Sequence, residues 1–189
     1  MARYYTPTGR CIQKPYRHGT DDYYSDLNKR FLHGEFEQKD SIHFPDSLKF
    51  TTPKGKTVYG GGGIMPDIFV PVDTSGLTPF FNKVSNRGII YRFSLSYTDS
   101  HRNIFSKFSN YKKLKNYLDK QDILSQFLVF AEKSGVRPEK AELSVSQKII
   151  LVQVKALISR NIFDDAGFYP ILREIDNTID TAVTVLSDN

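Results

Sequence analysis

The chain has 189 residues, 39% of them apolar and 25% charged, with 26 Lys and Arg against 21 Asp and Glu. Disordered chains lack this much apolar mass and membrane chains lack this much charge, so the composition describes one globular domain or two small ones. The formal net charge of +5 is too small to require a polyanionic partner. The lone Cys11 excludes an intrachain disulfide and a cysteine-based metal cluster.

No apolar run reaches the roughly 20 residues that a membrane-spanning helix needs. Residues 1–7 lack a basic region followed by an apolar one, which is the pattern of a secretory signal peptide. We therefore expect neither a transmembrane segment nor a signal peptide in this sequence.

Residues 1–73 are predicted to form a β-rich domain. Short runs of aromatic and β-branched residues at 3–6, 48–51 and 68–70 are typical of strands. The segment Thr52 to Gly55 has Pro and Gly in the positions that close a hairpin turn.

A polar and aromatic segment, residues 16–44, separates these predicted strands. We interpret it as an insertion or lid. Residues 21–32 within it are predicted to form a short helix.

Residues 77–189 are predicted to form an all-helical domain, because apolar residues recur there at three- and four-residue steps. The predicted elements are a short helix from Thr78-Pro79 to Gly88, an apolar stretch from Ile89 to about Tyr97, and helices over 111–118, from Asp122 to Gly135, from Ser144 or Ser146 to about Phe163, and over 172–186. The longest helix is apolar around most of its circumference, with Lys148, Lys155 and Ser159 as a thin solvated stripe, which predicts a central position. The expected fold class is α+β, with a β-rich part before a helical one.

Four consecutive glycines, Gly60 to Gly63, are the most unusual local feature. Consecutive glycines let a backbone approach phosphate groups, but a phosphate-binding loop also needs a helix after it, and Pro66 opposes helix initiation there. A tight backbone crossing or bulge between strands is the favoured interpretation. No cofactor-binding residue is assigned.

Ser109 and Lys112 match the S-x-x-K pattern, in which a lysine deprotonates a serine one helical turn away. A lysine base needs a pKa lowered by burial, whereas Lys112 lies in a polar stretch with several other lysines. Ser109 is more simply a helix N-cap. No catalytic residue is assigned.

Residues 111–120 mix lysine with tyrosine, a combination also found on nucleic-acid-binding surfaces. An amphipathic helix with Leu114 and Leu118 inward and lysines in solvent explains the pattern as well. Asp119 and Asp122 interrupt the positive charge, so the solvated helix face is favoured.

The histidines lack the close spacing that places two metal ligands on one helix face: His18, His33, His43 and His101. Three carboxylates lie near the first of them and are interpreted as solvated charges: Asp21, Asp22 and Asp26. No metal ligand is assigned.

Two segments resemble motifs of a known protease family. Ala2 to Gln13 are similar to the A-R-Y-Y-T-P-S-G-R-S-I-Q strand and turn of the carboxy-terminal processing peptidases, also called tail-specific proteases. Gly63 to Val70 resemble the G-I-x-P-D-x-x-V segment that follows it in that family. Both occur in the family's order within the first 73 residues, with a longer polar insertion between them.

This resemblance implies a serine endopeptidase with a Ser–Lys dyad, a PDZ domain that recognises substrate C-termini, and a crotonase-like protease core. The family's Ser and Lys motifs precede the segment that resembles Ala2 to Gln13, and neither matches a position here. No catalytic residue carries over. We therefore expect the C-terminal portion of such a protease, comprising the closing strands of its core (1–73) and a helical domain (77–189), non-catalytic by itself and serving core completion, assembly or substrate gating.

Partners and location follow from the same resemblance. The parent enzyme acts on protein substrates and is expected in the periplasm or cell envelope, as its relatives in bacteria with two membranes are. Self-association is expected through an exposed strand edge at Arg3 to Thr6 or through the apolar face of the last helix, which carries Ile179 and Leu186.

The alternative function is a free-standing protein-interaction module, which uses the basic helical surface or the insertion at 16–44. Nucleic-acid binding is a third and weaker alternative. A steep loss of affinity with salt would identify it.

Overall fold

The computed structural model describes residues 3–14 and 19–188. The chain divides into two compact units, Met1–Val72 and Asp73–Asn189. Helices dominate, and the one sheet within the described residues has two strands. The expected α+β class with a β-rich N-terminal part is therefore wrong, because the protein is mainly helical.

The N-terminal unit contains helix α1 (Thr20–Leu32) and a hairpin of β1 (Lys49–Thr51) and β2 (Thr57–Tyr59). The strands pair antiparallel, with Phe50 opposite Val58. The hairpin turn predicted at Thr52 to Gly55 is confirmed, since the Gly55 N–H donates to Thr52 O at 2.9 Å and Gly55 has a φ of 80°. The helix predicted at 21–32 is confirmed as α1.

Two of the three predicted strands do not form. Residues 3–6 contribute only an isolated antiparallel bridge, from Tyr5 to Cys11, and residues 68–70 join no sheet. A segment that favours extended backbone forms a strand only when a partner strand accepts its hydrogen bonds. Residues 49–51 obtain that partner through a short hairpin turn, whereas residues 3–6 and 68–70 have no partner strand among the described residues. The expectation of closing strands of a crotonase-like core is thereby overturned.

The second unit consists of helices joined by short turns. They are α2 (Pro79–Asn86), α3 (Ile89–Phe105), α4 (Tyr111–Leu118), α5 (Ile123–Lys133), α6 (Lys140–Phe163), α7 (Asp165–Leu172) and α8 (Asn177–Ser187). The helix starts predicted at Thr78-Pro79 and Asp122 are confirmed: the Thr78 Oγ1 accepts from the Phe81 N–H at 3.1 Å, and the Asp122 carboxylate accepts from the Ser125 N–H at 3.2 Å. Gly135 ends α5 with a φ of 77°.

Three helix boundaries differ from prediction. Asn110, not Ser109, caps α4, because its side chain accepts from the Lys113 N–H at 3.1 Å. Helix α6 begins at Lys140 rather than Ser144 or Ser146, and the Glu142 carboxylate accepts from the Glu139 N–H at 3.1 Å. The last helix, predicted over 172–186, begins only at Asn177 as α8, because residue 172 ends α7 and a 3-10 turn occupies residues 173–175.

Helix α6 is central, as predicted, and contacts α2, α3, α4, α5 and α7. The largest fully buried side chains come from several helices and include Phe80, Phe105, Leu114, Leu118, Phe127, Ile150 and Ile158. The predicted solvated stripe is wrong at Ser159, which is fully buried. Helix α7 covers it, so closely that a Cβ on Gly167 would lie 2.5 Å from the Ser159 Oγ.

Candidate functional site

The two segments that resemble the protease family lie against each other in the N-terminal unit. The Gly61 N–H donates to Cys11 O at 2.8 Å, and the Gly63 N–H donates to Ile12 O at 2.8 Å. Beside them, an Arg10 Nη1 donates to Tyr59 O at 3.1 Å. Residues 10–12 therefore run alongside residues 59–63.

Glycine is required where these segments cross. A Cβ on Gly60 would lie 2.9 Å from Cys11 O, and a Cβ on Gly61 would lie 2.7 Å from the Leu48 Cδ1. Gly61 also has a φ of 77°, which side-chain-bearing residues rarely adopt. The predicted tight backbone crossing is confirmed. Residues 64–72 after it form no helix.

A cleft of about 600 Å³ opens beside this crossing, and we call it the N-terminal cleft. Its lining includes Arg10, Lys39, Phe44, Lys56, Tyr59 and Met65. The Phe44 and Tyr59 rings stack with centroids 4.8 Å apart, and Lys56 forms an ion pair with Asp67. The lining therefore combines apolar and aromatic side chains with a few charged groups, a combination typical of binding clefts.

Ion pairs hold α1 to the segment before it. The Lys14 Nζ lies 2.7 Å from the Asp26 Oδ1 and 3.1 Å from the Asp22 Oδ2, and Lys29 contacts Asp22 at 2.5 Å. Hydrogen bonds from Lys29 and Lys14 lower the pKa of Asp22 to about 2. The hydrogen bond to Asp26 raises the pKa of Lys14. Two of the three carboxylates predicted to be merely solvated are thus ion-paired, and His18 lies outside the described residues.

The S-x-x-K pair does not form a dyad site. Ser109 and Lys112 are both exposed, and Lys112 lies in the first turn of α4. The buried environment that a lysine base requires is absent around it. Ser109 and Lys112 therefore share only the sequence spacing of that catalytic pattern.

Helix α4 presents lysines to solvent, as the amphipathic interpretation predicted, with Leu114 and Leu118 fully buried. Lys115 pairs with Asp119 at 2.9 Å and with Glu174 at 3.1 Å. The Lys155 Nζ lies 2.7 Å from the Asp119 Oδ1. Although burial opposes it, the hydrogen bonds from the two lysines lower the pKa of Asp119. These charges join α4, α6 and the 3-10 turn of residues 173–175.

A second cleft, of about 430 Å³, lies between α3 and α5. The His101 ring stacks on Tyr97 with centroids 4.2 Å apart, and its Nδ1 lies 2.9 Å from Tyr97 O. Burial raises the pKa of Tyr97. Sequence reasoning missed this cleft, although the four-residue spacing of Tyr97 and His101 on a helix predicts that the rings meet.

The described residues were compared with the side-chain clusters that bind metal ions and with the helices that cross membranes. Among residues 3–14 and 19–188, no three His, Cys, Asp or Glu side chains converge to hold a metal ion. No helix in that part of the chain is long and apolar enough to cross a bilayer.

Comparison with known proteins concerns the helical unit. Residues 80–164, from α2 to just past the end of α6, match a family of unknown function, DUF8443. No curated protein and no solved structure matches the chain. The matched region excludes the N-terminal cleft, the glycine crossing and helices α7 and α8.

Proposed function

We propose that this chain is the non-catalytic C-terminal portion of a serine endopeptidase of the carboxy-terminal processing type. The proposal rests on the contact between the two resembling segments, which are about 50 residues apart in sequence. The Gly63 N–H of one segment donates to Ile12 O of the other at 2.8 Å, and the neighbouring Gly61 N–H donates to Cys11 O. Chance similarity at two distant places gives no reason for the segments to touch, so their contact supports the resemblance.

The proposal assigns the two units different roles. The N-terminal unit attaches this portion to the protease, although not as closing strands of a crotonase-like core. The helical unit serves assembly or substrate gating, since it has its own continuous apolar core. By the same resemblance, the parent enzyme works on protein substrates in the periplasm or cell envelope.

Hydrolysis of an unfolded protein tests this proposal. The purified chain is compared with the same chain joined to the upstream sequence that the proposal requires, which carries the Ser and Lys motifs. We expect cleavage only by the joined form, because the dyad and oxyanion donors lie in that upstream part. Cleavage by the short chain, or a gene without such an upstream sequence, would contradict the proposal. Ser109→Ala is the control, and we expect it to leave cleavage by the joined form unchanged.

Helix α8 is the surface proposed for assembly. Ile179, Val183 and Leu186 lie on one face of it and are 41%, 45% and 77% exposed. Apolar residues at this spacing pack against a partner helix in helical assemblies.

The double variant Ile179→Glu with Leu186→Glu is expected to weaken self-association at least tenfold, because it places charges on that apolar face. Sedimentation equilibrium measures the change, with Thr184→Glu on another side of α8 as the matched control. Equal dimer populations for the double variant and the control would remove α8 from the assembly surface.

The N-terminal cleft favours one alternative function, a protein-interaction module. Its stacked Phe44 and Tyr59 suit an extended peptide with apolar side chains, since the cations of the lining are nearly balanced by carboxylates. Absence of cleavage by both forms in the hydrolysis experiment would favour this alternative.

A further inference from the structure

One residue with a strained backbone joins helices α6 and α7. Asp164 ends α6 and begins α7, with φ 50° and ψ −145°. It is the one residue other than glycine with a positive φ among the described residues. That backbone region is occupied readily by glycine alone, because a Cβ collides with the neighbouring peptide groups. The closed hairpin therefore holds backbone strain at its turn.

Residues 165–187, which we call the C-terminal arm, pack on the rest of the unit through a small separate core. Ile171 of the arm shares this cluster with Val152 and Ala156 of α6. The main hydrophobic core of the unit contains no fully buried residue of the arm. The arm is thus attached by contacts that are distinct from those holding α2 to α6 together.

Residues of α6 contact residues of the arm that lie at nearly the same distance in sequence on the other side of Asp164. Ser159 meets Gly167, and Ala156 shares a cluster with Ile171. If Asp164 adopted helical angles, α6 and α7 would continue as one helix and the arm would leave its own copy. Two such helices crossing antiparallel at Asp164 would then form the same pairs between copies.

We propose that the C-terminal arm exchanges between two copies of this chain, with Asp164 as the hinge of a symmetric domain-swapped dimer. The exchanged dimer keeps the contacts of the arm and releases the strain at two hinges. It loses only the entropy of association, so the dimer is favoured as the protein concentration rises. Short hinges under strain promote this exchange. Pro170 adds no new cost, because it already lies within α7.

Substitutions of Asp164 test whether backbone strain at the hinge shifts the equilibrium from the closed monomer to the exchanged dimer. Asp164→Gly removes the strain from the closed form and is expected to lower the association constant of the dimer on the order of tenfold or more. Asp164→Ala keeps the steric cost of a Cβ and favours helix through the junction, so it is expected to raise the constant. Light scattering after refolding at high protein concentration measures both variants against the original chain. Monomers throughout, or equal constants for the two variants, would overturn the proposal.

Crosslinking identifies which surface holds the dimer. Isotope-labelled and unlabelled chains are refolded together, and a carbodiimide then joins Lys115 to Glu174, whose charged atoms lie 3.1 Å apart. Glu174 belongs to the arm and Lys115 does not, so exchange produces crosslinks between labelled and unlabelled chains.

The control crosslink joins Lys155 to Asp119, which lie 2.7 Å apart and both precede the hinge. It stays within one chain in the exchanged dimer. The experiment is repeated in the Ile179→Glu with Leu186→Glu variant, which removes association through α8. A dimer of that variant in which the Lys115–Glu174 crosslink is also confined to one chain, or the absence of any dimer, would overturn the proposal. The proposal does not depend on a relationship to proteases.

Discussion

Phe127→Ala is expected to lower the free energy of unfolding of the helical unit by about 3–5 kcal/mol. Phe127 is fully buried, and its ring meets Phe93 edge to face with centroids 5.4 Å apart. Truncation removes the apolar surface from the core and leaves a cavity that neighbouring helices fill only in part. Urea unfolding followed by circular dichroism measures the loss.

Val129→Ala is the matched control on the same helix, because Val129 is 54% exposed. We expect a change within about 0.5 kcal/mol there. If the two variants unfolded at the same urea concentration, the arrangement of α5 against α3 would be wrong.

Gly167→Ala is expected to destabilise the packing of α7 on α6 by about 1–3 kcal/mol, although alanine is the better helix former. The new Cβ would lie 2.7 Å from Ser159 O and 2.9 Å from the Phe163 Cβ. These atoms belong to α6 itself, so the two helices must separate to accept the methyl group. Hydrogen exchange of the α7 amides, together with urea unfolding, detects the separation.

Gly62→Ala controls for the loss of glycine flexibility, since nothing lies within 4 Å of a Cβ there. The double variant Gly167→Ala with Ser159→Ala removes only the hydroxyl from the crowded contact. It is therefore expected to recover part of the loss, because the backbone oxygen of residue 159 stays in place. Full recovery, or no effect of Gly167→Ala at all, would contradict the close approach of α6 and α7.

The candidate site was predictable to the extent that it depends on glycine. The run of four glycines predicted a tight crossing without naming what is crossed. The predicted hairpin places Leu48 opposite Gly60, but Cys11 comes from a segment about 50 residues away, and no local pattern contains that information. The same reason explains why the cleft between α3 and α5 was missed, as its two walls meet only after the helices pack.

The corrected helix starts show how local signals compete. Ser109 and Asn110 are both good N-cap residues, and only the backbone geometry decides that Asn110 accepts the bond from the Lys113 N–H. At α6, the Glu139 and Glu142 pair starts the helix one turn before the serines that sequence reasoning favoured.

Amino-acid periodicity and capping by themselves determined the helical character of the second unit, because a helix is closed by bonds between residues four apart. Strands depend on distant partners, so the aromatic runs at 3–6 and 68–70 predicted a sheet that the N-terminal unit does not form. Tertiary structure alone decided that Ser159 is buried, since a polar residue on a helix enters the interior only when another element covers it. The small size of Gly167 lets α7 do so, and the strained Asp164 turns the chain back to bring it there.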